Sequence, residues 1–299
     1  MTKLSNETLA KAGVLLFNSR MEKNIYKLIA FDLDGTLLDD GKHVPEENLR
    51  ALREAGEAGI WLVPATGRIP AGLPEPLRGL PGLRYGILVN GALLYDFAEE
   101  RAVGREEIPL PLALELIDYM AAYPVLYDCY QDEWGYIDRR FFDSAEAYIA
   151  DPGIIDLLHR VRTPVPSLRQ YLADKGKSVQ KLQLHTRDEA LRQKLLRELP
   201  EHFPQLAVTS SIPTNIEINA KLANKGDGLR RLCALLGLHA QETLAFGDGT
   251  NDVSMLRAAG CGVAMANAAP AVKAAADAQA PSNNEYGVAQ FLRLILGKE

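Results

Sequence analysis

Residues Asp32-Leu33-Asp34-Gly35-Thr36 constrain this chain more than any other stretch. Tyr26-Lys27-Leu28-Ile29-Ala30-Phe31 precedes them, a short and mostly apolar run. Such a run suits a strand buried on both faces of a parallel sheet. Carboxylates directly after it point into the crevice beyond the strand's carboxyl end, where open α/β sheets bind ligands. Gly35 permits a sharp turn there, and Thr36 adds a hydroxyl and an amide. The plainest alternative is a strand ending in a polar turn, because turn residues cluster after strands. A calcium loop fails on spacing: it needs glycine at its sixth position, which counted from Asp32 is Leu37.

The segments that follow repeat this grammar. Pro45-Glu46-Glu47 suits a helix first turn, and Leu49, Leu52 and Ala55 mark the apolar face of a helix ending near Gly59. Ile60-Trp61-Leu62-Val63 reads as a second buried strand, running into Pro64-Ala65-Thr66-Gly67-Arg68. The proline-rich stretch 70–82 allows only short or irregular helix. Tyr85-Gly86-Ile87-Leu88-Val89 is a third strand, ending at Asn90-Gly91. This βαβαβ alternation predicts an α/β fold with a Rossmann-like, doubly wound parallel sheet.

From about Ala92 the rhythm changes. Amphipathic helices at 112–120 and 189–199 alternate with strand-like segments at 125–127, 135–137, 179–184 and 216–218. This reads as an inserted α+β domain over 92–218, with the core divided between 25–91 and 219–299. The core resumes at Asn224-Lys225-Gly226-Asp227, which opens a helix with Leu229, Leu232, Cys233 and Leu236 inward and Gly237 as its cap. Thr243-Leu244-Ala245-Phe246 is another buried strand, running into Gly247-Asp248-Gly249-Thr250-Asn251-Asp252. Gly262–Met265 reads as the last clear core strand, the Ala-rich segment 268–278 as a helix, and 287–296 as a closing helix. Residues 1–24 read as an extension without chemistry: the apolar run at 13–17 is too short for a signal-peptide core, and no clear small-residue cleavage site follows it.

Composition narrows the function. A net charge of −6 argues against a nucleic-acid surface, and no apolar run approaches the roughly 18 residues of a membrane span. Cys129, Cys233 and Cys261 are isolated and odd in number, which fits buried thiols in a reducing cytoplasm. The five histidines show no zinc-binding spacing. Gly247-x-Gly249 falls short of a dinucleotide loop, because Asp252 stands where the third glycine is needed.

Polar groups therefore gather at several strand and helix ends: Asp32 and Asp34, Thr66, Lys225, and Asp248 with Asn251 and Asp252. Four carboxylates in one crevice repel unless a cation is present, and an oxygen-only set suits Mg²⁺.

Asp32-Leu-Asp-Gly-Thr-Leu-Leu, Ala65-Thr66-Gly67-Arg68, Asn224-Lys225-Gly226 and Gly247-Asp248-Gly-Thr-Asn251-Asp252 resemble, in order and spacing, the four motifs of the haloacid dehalogenase superfamily. More narrowly they resemble its Cof-type, sugar-phosphatase-like subclass IIB. The resemblance covers residues 25–299 and implies a Rossmann-like core, an inserted α/β cap and Mg²⁺-dependent phosphoryl transfer through an aspartyl-phosphate. It implies that Asp32 is nucleophile and metal ligand. Asp34 would be general acid and base, its main-chain carbonyl also reaching the metal. Asp248 and Asp252 would complete the metal site. Thr66 and Lys225 would hold phosphoryl oxygens, and Asn251 would position Lys225 or the phosphate. Gly67, Arg68 and Asn90 would line the substrate side, with Asn90-Gly91 as the core-to-cap junction.

These roles suit the chemistry. A carboxylate nucleophile splits a very slow hydrolysis into two easier steps, and Mg²⁺ with Lys225 lets it approach a dianionic phosphate. Asp34 would protonate the departing alkoxide and then deprotonate water, so its pKa is expected to be raised beside Asp32. The expected function is a cytoplasmic phosphatase acting on small phosphate esters, sugar phosphates first among them. A phosphomutase and a non-catalytic binding protein on the same scaffold are the alternatives.

Overall fold

The computed structural model describes residues 26–297 apart from Ser211 and Pro213. The extension read at 1–24 lies outside the described residues. The strands are β1 (Leu28–Phe31), β2 (Trp61–Pro64), β3 (Tyr85–Leu88), β4 (Leu93–Asp96), β5 (Arg101–Arg105), β6 (Leu126–Gln131), β7 (Trp134–Asp138), β8 (Arg162–Val165), β9 (Lys181–His185), β10 (Leu206–Thr209), β11 (Asn215–Ala220), β12 (Thr243–Gly247), β13 (Cys261–Met265) and β14 (Ala278–Ala280). The main helices are α1 (Glu46–Glu57), α2 (Leu110–Met120), α3 (Pro152–Val161), α4 (Leu168–Lys175), α5 (Glu189–His202), α6 (Lys225–Leu236), α7 (Val253–Ala258) and α8 (Gly287–Leu296).

One sheet is wholly parallel, in the order β14-β13-β12-β1-β2, with Phe31 opposite Phe246 and Pro64. Its strands are buried on both faces, as their unbroken apolar runs require. Ile29, Phe31, Leu244 and Phe246 face α1 and α8, whereas Leu28, Ala30 and Ala245 face α6 and α7. The third expected strand, β3, meets this sheet through the Ala65–Ile87 bridge and pairs antiparallel with the β4–β5 hairpin. That hairpin, which the sequence pattern did not suggest, falls within 92–218.

A second, six-stranded sheet runs β10-β11-β9-β6-β7-β8 and is mostly antiparallel. Two expectations are corrected. Only Pro270–Lys273 of the Ala-rich segment is helical, and β13 is not the last core strand. Helix propensity is a weak prior there; Asp277 is drawn onto Gly262 by a main-chain and a side-chain bond, and β14 then pairs with β13. The three cysteines are buried and free. No helix among the described residues is long and apolar enough to cross a membrane.

Candidate active site

The carboxyl ends of β1, β2 and β12 and the first turn of α6 carry the site. Asp32 leaves β1 with its N–H donating to Phe246 O at 3.0 Å, and its side chain stays buried. The chain then turns through Gly35 at φ +84°, where an added Cβ would lie 2.4 Å from Asp248 Oδ2. Only glycine fits both the conformation and the approach. Thr36 Oγ1 donates to Asp248 Oδ1 at 2.8 Å and ties the two acidic turns together.

Asn224 caps α6, its side chain accepting from Asp227 N at 2.9 Å. The cap fixes the start of the helix and so the stem of Lys225. The fully buried Lys225 Nζ reaches Asp32 Oδ1 at 2.5 Å and Asp252 Oδ1 at 2.6 Å. Asp252 Oδ2 accepts from the N–H groups of Asp248 and Gly249 at 3.0 and 2.9 Å, so each of its oxygens is held. A side chain at Gly247 would collide with Asp252, at 2.4 Å, which accounts for that glycine.

One ammonium thus meets two carboxylates, with Asp248 as a third close by. Burial disfavours its charge, but Asp252 and Asp32 outweigh that and hold Lys225 protonated. Burial pushes Asp32 up, and Lys225, shared with Asp252, offsets this only in part. Asp248 is pushed up to about 6, by burial first and also by Asp252's charge. One ligand oxygen each from Asp32, Asp248 and Asp252 lie within 4.8 Å of one another. A hard divalent cation would relieve this crowding, and the all-oxygen donor set fits Mg²⁺.

Asp34 departs from expectation. Its side chain is outside that cluster. Arg68 donates to it through Nε at 2.9 Å and a terminal nitrogen at 2.8 Å, and Lys42 Nζ lies 3.0 Å away. Burial would raise its pKa, but the two cations outweigh burial and leave it lowered rather than raised. The expected effect of Asp32 is overridden by a bidentate guanidinium.

Thr66 is buried at the end of β2, its hydroxyl accepting from Arg68 N at 3.3 Å and its carbonyl from Asn90 N at 3.0 Å. Gly67 lies close against the Asn90 side chain. Asn251 Nδ2 donates to Asn90 Oδ1 at 3.2 Å, and Asn90 Nδ2 donates to Glu217 Oε2 at 2.8 Å. Asn90 is thus a bridge from the β12 loop to β11. The structure brings Asp32, Lys225, Asp248 and Asp252 together in one cluster, Asp34 with Arg68 in another, and Asn90 with Asn251 in a third. Lys42, Asn267 and Glu217 were missed. Asn267 Nδ2 holds Gly35 O at 2.8 Å. Lys42 and Asn267 stand outside every motif, and Glu217 sits in an alternating strand that reads as half exposed.

Comparison with known proteins follows the same lines. A family model described as haloacid dehalogenase-like hydrolase matches residues 29–292. Phosphatase YwpJ of Bacillus subtilis (strain 168) is 32% identical over 297 residues, covering 90% of this chain and 100% of that protein. Pyridoxal phosphate phosphatase YbhA of Escherichia coli (strain K12) is 31% identical over 271 residues, covering 89% and 97%. A solved haloacid dehalogenase-like hydrolase from B. subtilis is 31% identical and aligns with a TM-score of 0.75 over 89% of this chain and 99% of that one.

Proposed function

The chain belongs to the haloacid dehalogenase-like hydrolases, and from that premise we propose that it is a Mg²⁺-dependent phosphatase of small phosphate esters, sugar phosphates first among them, working through phosphorylated Asp32. The observation that carries the reading is Lys225 Nζ bridging Asp32 and Asp252, with Asp248 completing the carboxylate cluster. Relatives named as phosphatases support the reaction class.

Asp32, Asp248 and Asp252, with the Asp34 main-chain carbonyl, would hold the cation. Bound there, it supplies the positive charge that lets a carboxylate meet a phosphate dianion. Asp32 Oδ attacks phosphorus as the bond to the leaving oxygen breaks, giving an acyl phosphate and an alcohol. Lys225 and Thr66 hold the non-bridging oxygens, with charge placed in advance rather than recruited. Asp34 gives the alcohol its proton and later takes one from water. For that it must first exchange its bonds to Arg68 and take up a proton from solvent, which leaves the guanidinium free to face the phosphoryl group. The six-stranded unit, residues 92–218 in the sequence reading, serves as the cap that excludes water.

Borohydride reduction of protein quenched during turnover of p-nitrophenyl phosphate tests the nucleophile. An acyl phosphate is reduced to the alcohol, so homoserine is expected at position 32 and is lost in Asp32→Asn. Homoserine at another aspartate would overturn the assignment.

A further inference from the structure

Side chains alternate between the two faces of a sheet. On β9 and β11, Leu182, Leu184, Ile216 and Ile218 join the larger apolar cluster. The opposite face carries Asp128, Lys181, Gln183, His185 and Glu217, all buried, together with Arg162 from the edge strand β8. The β11 end of this polar face meets the β3–β4 junction beside the candidate site: Glu217 accepts from Asn90 Nδ2 at 2.8 Å, and Asn219 Nδ2 donates to Val89 O at 3.4 Å. Folding alone gives no reason for it, because buried ion pairs are seldom more stabilising than apolar residues of equal volume.

Its charges are matched one to one. Arg162 Nε lies 2.8 Å from Asp128 Oδ1, and Lys181 Nζ lies 2.8 Å from Glu217 Oε1. Both cations also lie over the ring of Tyr130, at 4.1 and 4.7 Å from its centre. They are the only Lys or Arg residues on the six strands of this sheet. Beside them His185 is buried with Nδ1 unpartnered. Burial holds its pKa down to about 4, so it presents a neutral imidazole that can give or take one hydrogen bond.

We propose that this face reads the leaving group of the phosphate ester and selects one that is uncharged and hydroxyl-bearing, rejecting a second phosphate or carboxylate. The proposal rests on the phosphatase reading of the core site. A second anion here would lose its water against two carboxylates, with each Lys or Arg on these strands already matched by a carboxylate. Hydroxyls can donate to Glu217 or the imidazole and accept from the Gln183 amide.

The test is kcat/KM for matched pairs: fructose 6-phosphate against fructose 1,6-bisphosphate, and glucose 6-phosphate against 6-phosphogluconate. The member without the second anion is expected to win by at least about tenfold. Glu217→Gln leaves Lys181 without its counter-charge and should shift that ratio toward the charged member by about threefold or more. Asp128→Asn does the same for Arg162 and serves if the first variant does not fold. A wild-type ratio near one or reversed, or an unmoved ratio in both folded variants, would overturn the proposal. Release of p-nitrophenol, measured alongside, separates the two levels. No release overturns the core reading and the proposal with it; release with a reversed preference overturns the proposal alone.

Discussion

Lys225 shows how a single residue organises charge at this site. Its ammonium is fully buried and is the counter-charge to both Asp32 and Asp252. Removing it leaves two buried carboxylates without their partner, which typically costs about 3–5 kcal/mol. Lys225→Met is therefore expected to lower the urea midpoint by that equivalent and to abolish phosphatase turnover. Added Mg²⁺ should restore part of the stability but not the turnover. A variant of wild-type stability without metal would show that the pair is not the counter-charge described. Asp34 makes the opposite point about what a residue's neighbours in sequence reveal. Its place two residues after Asp32 suggested repulsion, but Arg68, from a different loop, sets its charge state.

At the scale of elements, the junction between β3 and β4 is the most constrained backbone described. Val89, Asn90 and Gly91 all have positive φ, at 51°, 57° and 98°. Such conformations cost about 1–3 kcal/mol for a non-glycine residue and persist only where surroundings impose them. Here the Val89 and Asn90 N–H groups are taken by Arg68 O and Thr66 O at 3.1 and 3.0 Å. A Cβ on Gly91 would lie 2.3 Å from Asn224 O, in the cap of the helix that carries Lys225. Gly91→Ala is expected to lower the Tm and to reduce kcat more than it changes KM, because Lys225 is displaced. Unchanged kcat in a folded variant would separate this junction from the site. The Asn90-Gly91 pair was named as a chain junction on the family resemblance alone, and both residues tolerate the positive φ found there. Val89 was not legible, because a β-branched residue in that region contradicts its own preference.

Across the whole molecule, legibility followed locality. Asp32, Thr66, Lys225 and Asp248 were readable because each follows a short apolar run or opens a helix, so its direction is set within a few residues. The polar face of the six-stranded sheet was not. Lys181, Gln183 and His185 alternate with Leu182 and Leu184, which reads as a solvent-facing side, whereas in the structure all three are buried. This has a consequence for acid stability. His185 has a folded pKa of about 4 against an ordinary 6.5, so the unfolded chain takes up its proton first as pH falls. Stability present above about 6.5 is lost progressively down to about 4, amounting to about 3 kcal/mol. Denaturation at pH 7 and pH 4.5 should therefore show a smaller acid loss in His185→Gln than in the wild type. An equal loss would place the acid sensitivity elsewhere.

The most direct measurement is phosphate release from a panel of sugar phosphates and p-nitrophenyl phosphate, with Mg²⁺ and with EDTA, for the wild type and Asp32→Asn. Release that requires Mg²⁺ and disappears in the variant is the expected result. Release that survives EDTA, or that persists in pure Asp32→Asn protein, would contradict a metal-dependent reaction through Asp32.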